Sequence, residues 1–317
     1  MREENPSATA RLVMSALLVL AKRSDSSRAF SARLREFLLT QESAVRRAVG
    51  GFSLFTRFPF DAMAGVLERL FVPGLFAHFA ARKKRIEDLA CEAVRLGAKQ
   101  VVAIGAGLDP LVSHLLDRFE DLKGFEVDHP ATQQVKAVLL TESKLISPVL
   151  VPADLANGTL ADALQRCTEF SAALPTLFIA EGLTMYLTES EVKALLSTGR
   201  ALGLSSEGWI FTCMTHRRGS SFRFSSQTAL ADAWLHLKGE PFTWGIERQG
   251  IPLLLSSLGF SNAQIVDGGS AVARESAAQG EDIVYIPLPT TAREALTPDP
   301  PDPGAHTSAV DNERNGS

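Results

Sequence analysis

Three short apolar runs end in an acid: Gly124-Phe-Glu-Val-Asp128, Val149-Leu-Val-Pro-Ala-Asp154 and Leu177-Phe-Ile-Ala-Glu181. A fourth, Val101-Val-Ala-Ile, runs into Gly105-Ala-Gly107. The two glycines let a backbone turn sharply and approach a bound group without Cβ interference. Any one of the acids could simply cap the helix that follows. Together, beside a Gly-x-Gly loop, they suit a cationic ligand rich in hydrogen-bond donors. An adenosyl sulfonium is such a ligand. It offers ribose hydroxyls to one acid, an adenine edge to a second acid or its neighbour's backbone, and an α-amino group to a third. A dinucleotide fits less well, because three acids would repel its pyrophosphate. The third glycine of the dinucleotide fingerprint is also replaced by Pro110, although Asp128 stands 23 residues after Gly105, as in a nucleotide-binding βαβ unit.

Those residues need a scaffold that brings strand ends to one edge. The four runs and a fifth, from Trp209 to Met214, are separated by stretches of helical period, which predicts a parallel, doubly wound α/β sheet. The intervening helices are expected over Leu111 to Phe119, Thr132 to Leu140, Leu160 to Phe170, and from the Thr188/Glu191 capping box to about Leu202. Two late strands, Ala263 to Val266 and Asp282 to Ile286, leave no room for a long helix between them and could pair antiparallel at a sheet edge. Between these regions, residues 215–245 carry His216, Arg217, Arg218, Phe222, Arg223, Phe224, Trp234 and Trp244, an insertion suited to a lid. The last helix is expected over Gly250 to Leu258.

Upstream, residues 1–80 show helical spacing through Leu12 to Leu20 and Phe30 to Leu38, a break around Gly50-Gly51 and Phe58-Pro59-Phe60, and a helix from an Asp61 N-cap to Leu70. A longer helix follows, from about Leu75 to Leu96, with the apolar stripe Phe79, Ile86, Leu89, Ala93 and Leu96. Arg82 lies on that stripe and requires an anionic partner, because an unpaired buried charge is very costly. Lys83, Lys84, Glu87 and Asp88 are read as surface charge. From about Thr290 the chain is rich in Pro, Asp, Ser and Asn, and disorder is expected there.

Composition is that of a globular protein, with 45% hydrophobic and 21% charged residues among 317. A net charge of −4 lacks the basic face that nucleic acid or an anionic membrane requires. The apolar run from Leu12 to Ala21 is too short to span a bilayer and lacks a basic n-region. Three scattered cysteines fit a reducing, cytoplasmic setting. No run of residues has metal-ligand spacing, and no P-loop or Gly-x-Ser-x-Gly elbow is present. A small molecule is the expected partner; composition leaves the oligomeric state open.

The sequence resembles the leucine carboxyl methyltransferase family, a branch of the class I S-adenosylmethionine-dependent O-methyltransferases that includes tetracenomycin-type polyketide carboxyl methyltransferases. The resembling segments are Val101-Val-Ala-Ile-Gly-Ala-Gly-Leu-Asp109, Phe125-Glu-Val-Asp-His-Pro130, Pro152-Ala-Asp-Leu155 and Leu177-Phe-Ile-Ala-Glu-Gly-Leu-Thr-Met-Tyr-Leu187. Weaker matches are Gly239-Glu-Pro-Phe-Thr-Trp-Gly-Ile246 and Leu258-Gly-Phe260. The resemblance implies a class I methyltransferase (Rossmann-like) fold: a doubly wound, mostly parallel sheet with an antiparallel edge strand, a helical cap over 1–80, a core over 81–289 with a lid at about 215–245, and a tail over 290–317. It implies S-adenosylmethionine as cofactor. Arg82 would hold its carboxylate, Gly105 and Gly107 line its methionine part, Asp128 bind the ribose, Asp154 and Leu155 the adenine, and Glu181 the amino group. Tyr186 matches a family tyrosine and is either catalytic or a packed aromatic. His216 is a candidate base if the acceptor is a hydroxyl; otherwise it is a surface histidine. Arg217, Arg218 and Trp244 are candidate acceptor contacts. The chain departs from many family members at Pro110-Leu-Val-Ser-His114, where two arginines are replaced by Leu111 and His114 and where His114 is read as a helix-surface residue. The readings kept beside methyl transfer are a nicotinamide-dependent oxidoreductase and a non-catalytic cofactor-binding protein.

Overall fold

A computed structural model describes residues 8–22, 35–36, 38–39, 60–142, 145–155, 158–219, 221–267 and 279–289. The expected helix around Phe30 to Leu38, the break at Gly50-Gly51 and the tail from Thr290 fall mostly or wholly outside these residues.

The core is a seven-stranded sheet made of β1 (Gln100–Ile104), β2 (Lys123–Asp128), β3 (Val149–Pro152), β4 (Thr176–Ala180), β5 (Glu207–Met214), β8 (Gln264–Asp267) and β9 (Glu281–Ile286), in the order β3-β2-β1-β4-β5-β9-β8. Strands β1 to β5 pair in parallel, while β9 lies antiparallel between β5 and β8. The antiparallel strand is therefore second from the edge, and the edge itself is β8. Strand order reverses between β1 and β4, which opens a crevice at their carboxyl ends.

Both faces of the sheet are covered, so β1, β4 and β9 are buried at every position. The alternation of period two divides the core. Val101, Ala103, Leu177, Ile179, Ile210 and Ile283 pack on one side with α3 (Leu75–Arg95) and α4 (Leu111–Arg118). Val102, Ile104, Phe125, Phe178, Trp209 and Phe211 pack on the other with α6 (Leu160–Gln165), α7 (Glu189–Leu196) and α10 (Ile251–Ser257). A third cluster joins α1 (Ala8–Lys22) to the start of α3 and to Met185, Met214 and Phe224 at the strand ends. Helix α2 (Phe60–Phe71) packs on α9 (Ala229–Lys238), with Phe71 edge-on to Trp234. Helix α5 (Pro130–Glu142) connects β2 to β3.

Some expected boundaries move. Asp61 lies inside α2, one residue after its start. The helix from Leu160 stops at Gln165, and Phe170 leaves it to pack edge-on against Phe125. The helix opened by the Thr188/Glu191 capping box breaks at Ser197, whose hydroxyl bonds Lys193 O, and α8 (Thr198–Leu202) follows. Within 215–245 the chain forms a two-stranded hairpin, β6 (Arg217–Arg218) with β7 (Ser221–Phe222), and then α9.

Helix α4 approaches β2 closely because Gly124 has no side chain. A Cβ there would stand 2.5 Å from Val112 Cγ1 and 3.0 Å from Leu116 Cδ1. Gly124→Ala is expected to lower stability by ~1–3 kcal/mol, the usual cost of overpacking a core. Thermal or denaturant unfolding checks it; an unchanged midpoint would show that α4 can shift freely.

Candidate functional site

At the crevice, β1 runs into Gly105 and Gly107, both in the left-handed region with φ of 61° and 55°. Gly105 N donates to Val127 O at 2.8 Å, and Gly107 N donates to Asp128 Oδ2 at 2.6 Å. The second oxygen of Asp128 accepts from His129 N at 2.6 Å. The acid that ends β2 thus clamps the glycine loop that ends β1. Burial pushes the Asp128 carboxyl above its ordinary value, against these backbone donors. A Cβ on Gly105 would press to 3.1 Å from Leu183 Cδ1, and its φ of 61° is one that side chains rarely adopt, so the turn depends on glycine. Asp154 and Leu155 follow β3 and are partly exposed, and Glu181 directly follows β4.

Arg82 does point inward from α3, and it finds two acids. Its Nε donates to Glu181 Oε1 at 3.0 Å, and its Nη1 donates to both oxygens of Glu281, at 3.0 and 2.8 Å. The guanidinium also stands 4.8 Å over the Phe79 ring. Burial disfavours its charge, but Glu281 and Glu181 outweigh burial and hold Arg82 above its ordinary value. Burial alone would raise the Glu281 carboxyl; Arg82 and His78 instead bring it down to about 2.

Lys83 corrects the sequence reading. It is buried, not surface charge, and pairs with Asp109 and Glu181. The spacing explains why: Lys83 is four after Phe79 and three before Ile86, so it shares their face of the helix. Lys84 behaves as expected, exposed and paired with Asp88 at 2.9 Å. His114 is a second correction, since it is buried in α4. Facing both the sheet and α3 leaves that short helix little outer surface.

A further buried pair lies beneath the loop. Lys136 Nζ is 2.9 Å from Glu126 Oε2, yet neither oxygen of Glu126 receives a well-aligned hydrogen bond, and Lys136 also bonds Asp109 O. Burial dominates there and pushes the Glu126 carboxyl up to about 7.

The other candidates are dispersed. The Tyr186 hydroxyl is 3.4 Å from Thr9 Oγ1 on α1, and its ring packs edge-on to Phe242. Burial raises its phenol above the ordinary value. His216, Arg217 and Arg218 are exposed, the arginines on the β6–β7 hairpin, where Arg217 lies 5.7 Å from the Phe222 ring centroid. Trp244 is buried in the sheet-face cluster and lines an open groove of about 330 Å³ with Glu189, Lys193 and Leu253; none of Asp128, Asp154 and Glu181 lines it.

Glu281 and His78 join the cluster without having been singled out from the sequence, and so do Lys83, read there as surface charge, and Asp109, named only as the end of the glycine motif. Glu281 escaped because attention to the carboxyl ends of parallel strands passes over an antiparallel one. The signal was an acid opening the last apolar run, Glu281-Asp-Ile-Val-Tyr-Ile286. In an antiparallel strand the first residue, not the last, reaches the ligand edge, and Glu281 sits opposite Met214 at the end of β5.

The sheet order, the inserted antiparallel strand and a glycine loop clamped by the acid of β2 define a Rossmann-like fold of the class I methyltransferase kind. Two solved structures share it: a DUF574 family protein from Streptomyces avermitilis MA-4680 (TM-score 0.52, 15% identity, 73% of this chain and 91% of that one) and a protein from Thermobifida fusca YX described as a candidate methyltransferase (TM-score 0.51, 14% identity, 89% and 94%). The model of the leucine carboxyl methyltransferase family matches residues 13–199, more than half of the chain, and the chain belongs to that family. Its relatives include proteins named as inferred S-adenosyl-L-methionine-dependent methyltransferases. One from Bacillus subtilis strain 168 is 32% identical over 190 residues, 56% of this chain and 59% of the relative. Another, from Frankia alni, is 32% identical over 173 residues, 51% and 58%. The chain thus matches a little under three fifths of the length of these relatives.

The Glu126 carboxyl gives a pH dependence. Its value in the fold, about 7, is above the ordinary 4.5, so the fold favours the neutral form. That contribution to stability is complete below pH 4.5 and is lost as pH rises through 7, at about 1.4 kcal/mol for each pH unit crossed between the two values. Denaturant unfolding between pH 5 and 8 should show wild-type stability falling across this window on this account, and Glu126→Gln should flatten the slope. An unchanged slope in the variant would assign the titration elsewhere.

Proposed function

We propose that this protein is an S-adenosylmethionine-dependent methyltransferase that methylates a carboxylate or hydroxyl oxygen of a small organic molecule. The observation that carries the reading is the linked acid set at the β1/β4 crevice, with Asp128 clamped to Gly107 and Glu181 shared between Arg82 and Lys83. The donor set fits the cofactor. Asp128 would take ribose hydroxyls with lone pairs that Gly107 and His129 leave over, Asp154 and Leu155 the adenine edge, Glu181 the amino group and Arg82 the carboxylate. Gly105 allows the left-handed turn and keeps a Cβ off Leu183. A pyrophosphate would face Asp128, Asp154 and Glu181 together, which disfavours a nicotinamide dinucleotide.

When bound, the cofactor supplies a methyl group on a sulfonium sulfur. What the chain contributes is orientation and exclusion of water. Arg82 and Glu181 adjoin an apolar and aromatic cluster in which Phe79, Tyr186, Phe222, Phe224 and Phe242 pack together, and such a wall is what the proposal gives the acceptor. That wall favours a small apolar or aromatic acceptor. The Tyr186 phenol, raised by burial, stays protonated at neutral pH and can donate a hydrogen bond but not remove a proton. His216 is exposed. Both facts favour a carboxylate acceptor, which is already ionised and needs no base.

Titration calorimetry should show S-adenosylmethionine and its demethylated product binding the wild-type chain. Asp128→Asn should weaken both ~10- to 100-fold, since hydrogen bonds to a charged acceptor are worth about 1.5–3 kcal/mol. Tight NADH binding with no binding of either methionine cofactor would overturn the reading. Transfer of labelled methyl to a panel of aromatic and fatty acids should yield products that release methanol in mild base, as methyl esters do. Base-stable products would assign a hydroxyl acceptor instead, and binding without transfer to any acceptor would favour a non-catalytic protein.

A further inference from the structure

We propose that Glu281 is a positioning residue: it holds the Arg82 guanidinium in the orientation that receives the carboxylate of the cofactor's methionine part, and is itself held by His78 and Thr212. This rests on the cofactor reading above.

Glu281 opens β9, and its side chain is wholly inaccessible to solvent. Both of its oxygens accept from Arg82 Nη1. His78 Nε2 lies 2.7 Å from Oε2, and the Thr212 hydroxyl also bonds the carboxylate. The same hydroxyl accepts from Gly182 N at 2.8 Å, so Glu281 is tied to the turn that follows Glu181. His78 is in turn fixed by the Phe224 ring, packed edge-on at 5.3 Å.

Three contacts set the planar fork of Arg82. Nε is held by Glu181, Nη1 by Glu281, and one face lies over Phe79. A rigid guanidinium tethered at two nitrogens and stacked on a ring has its third nitrogen direction fixed. That third nitrogen, Nη2, lies toward the Gly182 turn, 3.6 Å from where a Cβ on that residue would stand. Glu181 alone could not do this job. It is also the acid expected to meet the cofactor's amino group, and a carboxylate drawn to that ammonium loosens its hold on Arg82. Glu281 faces no ligand and can anchor the cation independently.

Removing the charge should therefore weaken only ligands that carry the amino-acid part. The test is titration of the full chain with S-adenosylhomocysteine, S-adenosylmethionine and 5′-methylthioadenosine, which lacks the amino-acid part. Glu281→Gln should weaken the first two by ~10-fold or more, the scale of a lost charge-assisted hydrogen bond, and leave methylthioadenosine within ~2-fold. In turnover, KM for the cofactor should rise with kcat nearly unchanged. Glu281→Asp, which keeps the charge on a shorter arm, should give an intermediate loss; if the glutamine variant does not fold, the aspartate variant carries the same comparison. Unchanged or tighter binding of S-adenosylhomocysteine would overturn the proposal, as would an equal loss for methylthioadenosine. Failure of the wild-type chain to bind S-adenosylhomocysteine would overturn the cofactor reading and this proposal with it, whereas tight wild-type binding that the variants leave intact overturns this proposal alone.

Discussion

A guanidinium inside a fold must be matched by anions, and much of this site follows from that requirement at Arg82. The helix that carries it packs against the sheet through Ile86, Leu89, Ala90 and Ala93, which drives the first turns of α3 over the ends of β4 and β9. There the cation meets Glu181 from one strand and Glu281 from another. Lys83, the next residue, pairs with Glu181 and Asp109 and so links the helix to the glycine loop after β1. Buried pairs of this kind add little net stability, because desolvation offsets most of their attraction. Their contribution is placement: each charged group has its direction set by another.

The sheet supplies the rest of the geometry. β1 and β4 are buried on both faces and paired in parallel, and the chain leaves their carboxyl ends toward opposite sides of the sheet, which opens the crevice. The loop between β1 and α4 is not held by its own sequence alone, since Gly107 depends on Asp128 from the neighbouring strand. Acids that would repel one another are spread over separate strand ends and interleaved with Arg82, Lys83 and the backbone donors of the glycine loop. Such preorganised groups need little rearrangement when a ligand arrives.

Next to these charges, α1 and the region after β5 pack into one cluster of apolar and aromatic side chains. Tyr186 is joined to α1 through Thr9, and Thr9 also bonds Glu240, so the N-terminal helix and the segment after α9 meet at that tyrosine. The exposed Arg217 and Arg218 stand apart on their hairpin.

The sequence by itself determined the strands, their parallel order of alternation with helices, the glycine turn and the acids Asp128, Asp154 and Glu181. Each of these is a local signal, set by apolar runs, turn residues and short spacings. It also showed that Arg82 would need an anion, because burial can be read from a helical stripe. The identity of the second anion was not legible. Glu281 lies 199 residues from Arg82, and only the antiparallel insertion of β9 beside β5 brings them together. The burial of His114 was decided in the same way, by how many neighbours cover a short helix, whereas Lys83 shares the period of Phe79 and Ile86 and only its partners, Asp109 and Glu181, came from the tertiary structure. Tertiary structure alone moved Trp244 into the core and left His216 in solvent, because a residue's place in a connection between strands depends on where the chain folds back.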